Sequence, residues 1–170
     1  MKEQSTNTEL KLKASLLRDQ WQTFCELHTE LYEVTCDEYM HLLASEIDLL
    51  ETDITNKNKV INKINEVDKS RTSLNDEIAL LLNSPKPEKL AEMLSLLEDN
   101  DEKLIKKDIE RLNLILLDII EKIQAQNKKN QVFLNKAILS LRELKDSFTG
   151  KTNYNTYSPK GMTITSSKNF

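Results

Sequence analysis

Apolar residues recur every three or four positions along most of the chain. Leu10, Ala14, Leu17, Trp21, Phe24, Leu27, Leu31 and Val34 form one stripe. Ile47, Leu50, Ile54, Ile61, Ile64, Val67, Leu74, Ile78 and Leu81 form a second, with two polar gaps. The third is the most regular: Ile105, Ile109, Leu112, Leu116, Ile119 and Ile123 alternate steps of 4 and 3, and after Gln126 and Asn130 the register resumes with Phe133, Ala137 and Leu144. These are the spacings of amphipathic helices, and the last is a heptad seam.

Breakers are scarce, which leaves the helices free to run long. The only glycines are Gly150 and Gly161, and the only prolines Pro85, Pro87 and Pro159. Ser45, with Asp48 three residues on, marks a soft break resembling a capping box. At Asn83-Ser84-Pro85-Lys86-Pro87, Ser84 is a candidate N-cap with Pro85 at the first helical position. Glu98 to Glu102 interrupts the apolar pattern and offers a cap for the final helix. The pattern therefore predicts an all-α protein with helices at about 9–44, 46–83, 86–98 and 102–147. They form an elongated antiparallel helical bundle or coiled coil. A final helix of that length, on the order of 70 Å, cannot bury its stripe against itself and needs earlier helices or a partner. From Gly150 the chain is rich in Asn, Thr, Ser and Lys without periodicity, so residues 149–170 are expected to be a disordered tail.

Composition fits slim helices. Aromatics are 5% and charged residues 31% of the 170 residues, too few large apolar side chains for a thick core. The net charge of −4 argues against nucleic acid as the main partner, since phosphate binding relies on many Lys and Arg contacts. No apolar run is long enough to span a bilayer, and the N-terminus lacks an apolar signal core. Two cysteines make no disulfide framework, and a reducing cytoplasm is the expected location. Between Asp19 and Asn56 lie ten acidic residues and no Lys or Arg; between Lys122 and Lys151 lie seven Lys or Arg against Glu143 and Asp146. Opposed sign suggests that these two segments pair antiparallel, each exposed contact contributing about 0.2–1 kcal/mol.

Candidate chemistry is thin. Cys25, His28, Cys36 and His41 include metal-ligating types, but Cys25 and Cys36 lie 11 residues apart on one predicted helix. That is about 16 Å along the axis, too far for one zinc ion. The acidic stretch 98–102 lacks the glycine and terminal glutamate of a calcium loop. There is no phosphate-binding glycine loop and no acid–base constellation in a cleft, so neither cofactor nor enzymatic activity is expected. The amide-rich stretch Gln124 to Gln131 is more informative. Amides at seam positions fix register or select a partner at a cost in stability. Either the stretch sets register within the bundle, or it and the apolar face beyond it are open to another protein.

Three local patterns converge on one family. Lys57 followed by Val60, Ile61, Ile64, Val67 and Arg71 is similar to a Lys-to-Arg segment in the second helix of flagellar export chaperones of the FlgN type. Asn127-Lys128-Lys129-Asn130-Gln131, followed by Leu134, resembles the asparagine motif of that family's last helix, and Tyr157-Ser158-Pro159-Lys160-Gly161 its C-terminal Tyr-x-x-x-Gly motif. They occur in the family's order, over roughly residues 15 to 165. The Pro-x-Pro break and long N-terminus depart from the family pattern. The resemblance implies a cytoplasmic chaperone that shields hook-associated proteins (the FlgK and FlgL type) and delivers them to the flagellar type III export gate. It implies client binding by Asn127, Asn130, Phe133, Leu134, Ile138, Leu141 and Leu144, with Tyr157 and Gly161 docking at the gate. Ordinary packing within the chain is the competing role for the apolar members. A structural coiled-coil protein that self-associates is the alternative function.

Overall fold

The apolar stripes become helices. In the computed structural model, which describes residues 2–149, 154–157 and 163–166, α1 spans Lys2–Ala44, α2 Ile47–Leu81, α3 Leu90–Asp99 and α4 Lys103–Phe148. The chain divides into two compact units, Met1–Asn127 and Lys128–Phe170.

Within the first unit α1 and α2 form an antiparallel hairpin. Lys13 Nζ meets Glu77 at 2.8 Å, Gln20 Nε2 donates to Ser70 at 2.8 Å, and Lys57 Nζ meets Glu38 at 2.6 Å, so numbers rise on one helix as they fall on the other. Its core takes Leu10, Ala14, Leu17, Trp21, Phe24 and Cys25 from α1 and Val60, Ile64, Leu74 and Ile78 from α2. Met93 and Leu97 of α3 and Ile109 and Leu116 of α4 complete the same cluster. Each fully buried large side chain contributes roughly 1.5–3 kcal/mol. The Cys25 thiol donates to the Leu112 carbonyl (3.3 Å) and Lys57 reaches Asn127 (2.9 Å). This part of α4 therefore runs in the same direction as α1.

The charge-based expectation needs correction here. The acidic run of α1 pairs with lysines of α2, Lys57 with Glu38 and Lys63 with Glu30 (3.9 Å), while Lys122 pairs with Asp118 of its own helix (2.7 Å). A two-residue connection places α2 antiparallel beside α1, and proximity along the chain decides which charges meet.

The stops of α1, α2 and α3 share one device that the glycine count does not reveal. Ser45, Asn83 and Asp101 adopt positive φ, at 59°, 53° and 63°. After α1, the Glu46 N–H donates to the His41 carbonyl and the Ser45 N–H to that of Leu42 (3.0 and 3.3 Å). The Ser84 and Asn83 N–H groups do the same to Ala79 and Leu80 (2.9 and 3.2 Å), and those of Glu102 and Asp101 to Leu97 and Glu98 (2.8 and 3.3 Å). These are the paired bonds of a Schellman stop, made without glycine.

Two expected caps are corrected. Glu46, not Ser45, is the N-cap of α2, and it makes no side-chain cap bond. The α3 helix starts at Leu90, not at Pro85. Pro87 disfavours helical backbone at the residue before it, so Pro85 cannot begin a helix that continues. The Glu92 carboxylate accepts the Glu88 and Lys89 N–H groups at the true start (2.8 and 3.3 Å). Lysine has no acceptor with which to return such a bond.

In the second unit, α4 continues to Phe148, and two four-residue strands follow. Strand β1 (Tyr154–Tyr157) pairs antiparallel with β2 (Thr163–Ser166), Tyr154 opposite Ser166 and Tyr157 opposite Thr163. The all-α class stands, and this small hairpin is an addition that the reading of a structureless tail did not include. Its residues are those that strands favour, aromatic and β-branched.

Candidate functional site

The seam of α4 organises the candidate surface. One heptad position reads Ile109, Leu116, Ile123, Asn130, Ala137 and Leu144. The first three are 0%, 5% and 8% exposed, Asn130 5%, and Leu144 55%. Ala137 between them is half-buried. Gln126, four residues before Asn130 on the same stripe, is also buried. Two amides of the polar gap, Gln126 and Asn130, thus occupy buried seam positions, where a polar group must be satisfied and so restricts register.

Beyond Asn130 burial ends. No residue from 131 to 149 is buried; Phe133 and Ala137 are half-buried and the rest exposed. The exposed set includes the expected Leu134, Ile138, Leu141 and Leu144, and also Val132, Leu139 and Phe148. Val132 and Leu139 stand at a different angle on the helix from the seam, which is why reading the seam alone missed them. A run of apolar side chains exposed among lysines is the pattern of a helix face that awaits a partner. Lys128, Lys129, Lys136, Arg142 and Lys145 make no ion pair among the described residues.

Two residues of the Lys-to-Arg segment receive definite roles. Lys57 Nζ sits between Glu38 Oε2 (2.6 Å) and Asn127 Oδ1 (2.9 Å), tying α1, α2 and α4 together at one level. Asn127 itself is exposed and one turn from buried Asn130. Arg71 lays its guanidinium 4.5 Å from the ring centre of Trp21 and 5.2 Å from that of Phe24, with Asp68 accepting from it at 2.6 Å. Local periodicity marks these positions as helical and gives no hint that residues 57 and 127 meet.

The metal-ligating residue types are dispersed. Cys25 is tied to Leu112, and burial pushes its thiol pKa up. His28 Nδ1 lies 2.7 Å from the Phe24 carbonyl. Cys36 is a half-buried free thiol. His41 pairs with Asp53 near the hairpin turn, and that bond raises the imidazole pKa above its ordinary value. Among the described residues no three such side chains gather as a metal site, and no helix is long and apolar enough to cross a membrane.

Tyr157 ends β1, its backbone paired with Thr163. Gly161 lies outside the described residues.

A family model described as FlgN protein matches residues 15–165. The chain belongs to the FlgN family. No curated protein and no solved structure matches it. FlgN proteins are export chaperones of the flagellum, binding flagellar proteins rather than catalysing a reaction. A FlgN chain must therefore present a surface for another polypeptide.

Proposed function

We propose that this FlgN-family chain is a cytoplasmic chaperone for hook-associated proteins of the FlgK and FlgL type, and that it delivers them to the type III export gate. The client surface is the α4 face carrying Asn127, Asn130, Phe133, Leu134, Ile138, Leu141 and Leu144. The tail motif that includes Tyr157 and Gly161 is the gate-docking element.

One observation carries this reading. The same helix is buried at Ile109, Leu116 and Ile123 and has no buried residue from 131 to 149, where seven large apolar side chains are exposed. An apolar helix face in water gains from covering, and an amphipathic helix of a client laid along it would supply that cover.

The test is calorimetric titration of a purified hook-associated protein into wild type and into Leu134→Asp/Leu141→Asp. Both positions are exposed, so the fold is expected to persist. The double variant should bind about 10- to 100-fold more weakly, from roughly 1.5–3 kcal/mol of lost burial. Undiminished affinity would remove the client surface from α4. Tyr157→Ala should leave that affinity intact and lower export of the client; loss of client binding instead would make the tail part of the client site.

A further inference from the structure

We infer, resting on the client reading above, that Lys57 of α2 is a positioning residue for the client surface: it turns the Asn127 amide so that its N–H groups face the client and select a hydrogen-bond acceptor oxygen there. Three helices meet at this point. Lys57 Nζ donates to Glu38 Oε2 at 2.6 Å and to Asn127 Oδ1 at 2.9 Å. The side chains of Lys57 and Glu38 are only 20% and 19% exposed, so the ammonium is held in place between α1 and α2. An ammonium has three donors and no acceptor. It therefore admits one orientation of the amide opposite it, oxygen inward; the reverse would set N–H groups against a cation. The Asn127 Nδ2 group, with two N–H donors, is turned away from Lys57, on a residue that is itself exposed.

Its place on α4 gives that orientation a consequence. Asn127, Leu134, Leu141 and Phe148 follow one another at steps of seven, a single heptad position. The last three are 42%, 65% and 88% exposed. Asn127 thus heads a stripe that is otherwise hydrocarbon. Apolar contacts discriminate weakly among amphipathic helices, whereas a group built to hydrogen-bond rejects a partner that covers it and leaves it unpaired. A freely rotating asparagine would offer either its oxygen or its nitrogen to whatever arrived. Anchored by Lys57, it offers donors alone. The client is therefore selected for a carbonyl or carboxylate oxygen at that level of the helix, and Lys57 acts on the choice through Asn127.

The experiment is calorimetric titration of a purified hook-associated protein into the full chain and its variants, with urea titration of each for stability. Asn127→Asp keeps an oxygen for Lys57 but has acceptors only. It should be at least as stable as wild type and yet bind the client about tenfold more weakly. Binding by this variant as tight as by wild type would overturn the inference. Raising salt from about 0.05 M to about 0.5 M should shrink the deficit where the client's oxygen belongs to a carboxylate, because like-charge repulsion is screened, and leave it unchanged where the oxygen is a neutral carbonyl. Lys57→Gln keeps a polar side chain, and its amide can meet either end of Asn127. It should stay helical by circular dichroism and bind about threefold more weakly, since only part of the population then presents its donors. In an Asn127→Ala background the same substitution should have no effect on affinity, because nothing is left to position. An equal loss in both backgrounds would make Lys57 a structural tie and overturn its role. Leu134→Asp/Leu141→Asp keeps the two readings apart. Weaker binding by that pair with no effect of Asn127→Asp sinks this inference alone, and undiminished binding by the pair sinks the client reading and this inference with it.

Discussion

The residues that end the helices make a direct stability test. A non-glycine residue in the left-handed region costs roughly 1–2 kcal/mol, less for Asn and Asp, whose side chains tolerate it. Ser45, Asn83 and Asp101 each carry that cost at an exposed Schellman stop. Ser45→Gly should raise unfolding free energy by about 1 kcal/mol in urea titration, and Asn83→Gly and Asp101→Gly by less. A destabilised Ser45→Gly would mean that the serine side chain holds the turn by contacts of its own. The same turn carries a pH dependence. The hydrogen bond that His41 donates to Asp53 is the largest cause raising the His41 pKa above 6.5. A raised imidazole stabilises the fold fully below that value and loses the contribution as pH rises through the folded pKa. Glu77 and Glu98, lowered chiefly by hydrogen bonds from Lys13 and Lys106, act in the opposite sense, stabilising above 4.5 and losing that contribution as pH falls through their folded pKa. The urea midpoint should therefore fall modestly between about pH 6 and pH 9, and this fall should vanish in Asp53→Asn. An unchanged decline in that variant would assign it to another group.

At the scale of elements, periodicity made most of the fold legible. The stripe from Leu10 to Phe24 and the seam from Ile105 to Ile123 are the helix faces that build the core. The breaks near residues 45, 83 and 100 were legible too, but their chemistry was not. Glycine is the usual residue at such a stop, and the chain uses Ser, Asn and Asp in its place. The start of α3 lies beyond the first proline because Pro85 is a good first helical residue only when no second proline follows two positions later. The Lys57–Asn127 contact spans 70 residues, and local spacing holds no information at that range. The tail's strands are four residues each and carry no apolar–polar alternation, so nothing marks them out from a polar background. The seam itself separates scaffold from free face. Ile109→Ala, at a fully buried position, should cost about 2–5 kcal/mol through lost burial and a cavity. Leu144→Ala, at an equivalent heptad position but exposed, should cost no more than about 0.5 kcal/mol. Equal costs in urea titration would mean that the end of α4 is packed in the free protein.

For the whole molecule, the consequence is a single helix with two stabilities. An isolated helix shorter than about 12–15 residues is marginal in water, and longer ones owe most of their stability to tertiary packing. From Lys103 to Ile123, α4 has that packing, through Ile109, Leu116 and Ile123. From 131 to 149 it has no buried residue, so little beyond local propensity and its own hydrogen bonds holds it. Local opening should then be far cheaper in this stretch than in the buried stretch, where amides must await opening of the core. Hydrogen–deuterium exchange of the free chain, at a concentration low enough for monomer, should show amides near Ile109 and Leu116 protected about as well as those of Leu17 and Ile78. Those from Leu134 to Leu144 should exchange at least about a hundredfold faster. Adding a hook-associated protein should slow the second group selectively, because covering the apolar face supplies the packing that the chain does not. Uniform protection along all of α4 in the free monomer would remove the basis for a client face there. A helix already stabilised to its end has no exposed stripe left to offer, so exchange along α4 tests the chaperone reading without requiring the client to be identified in advance.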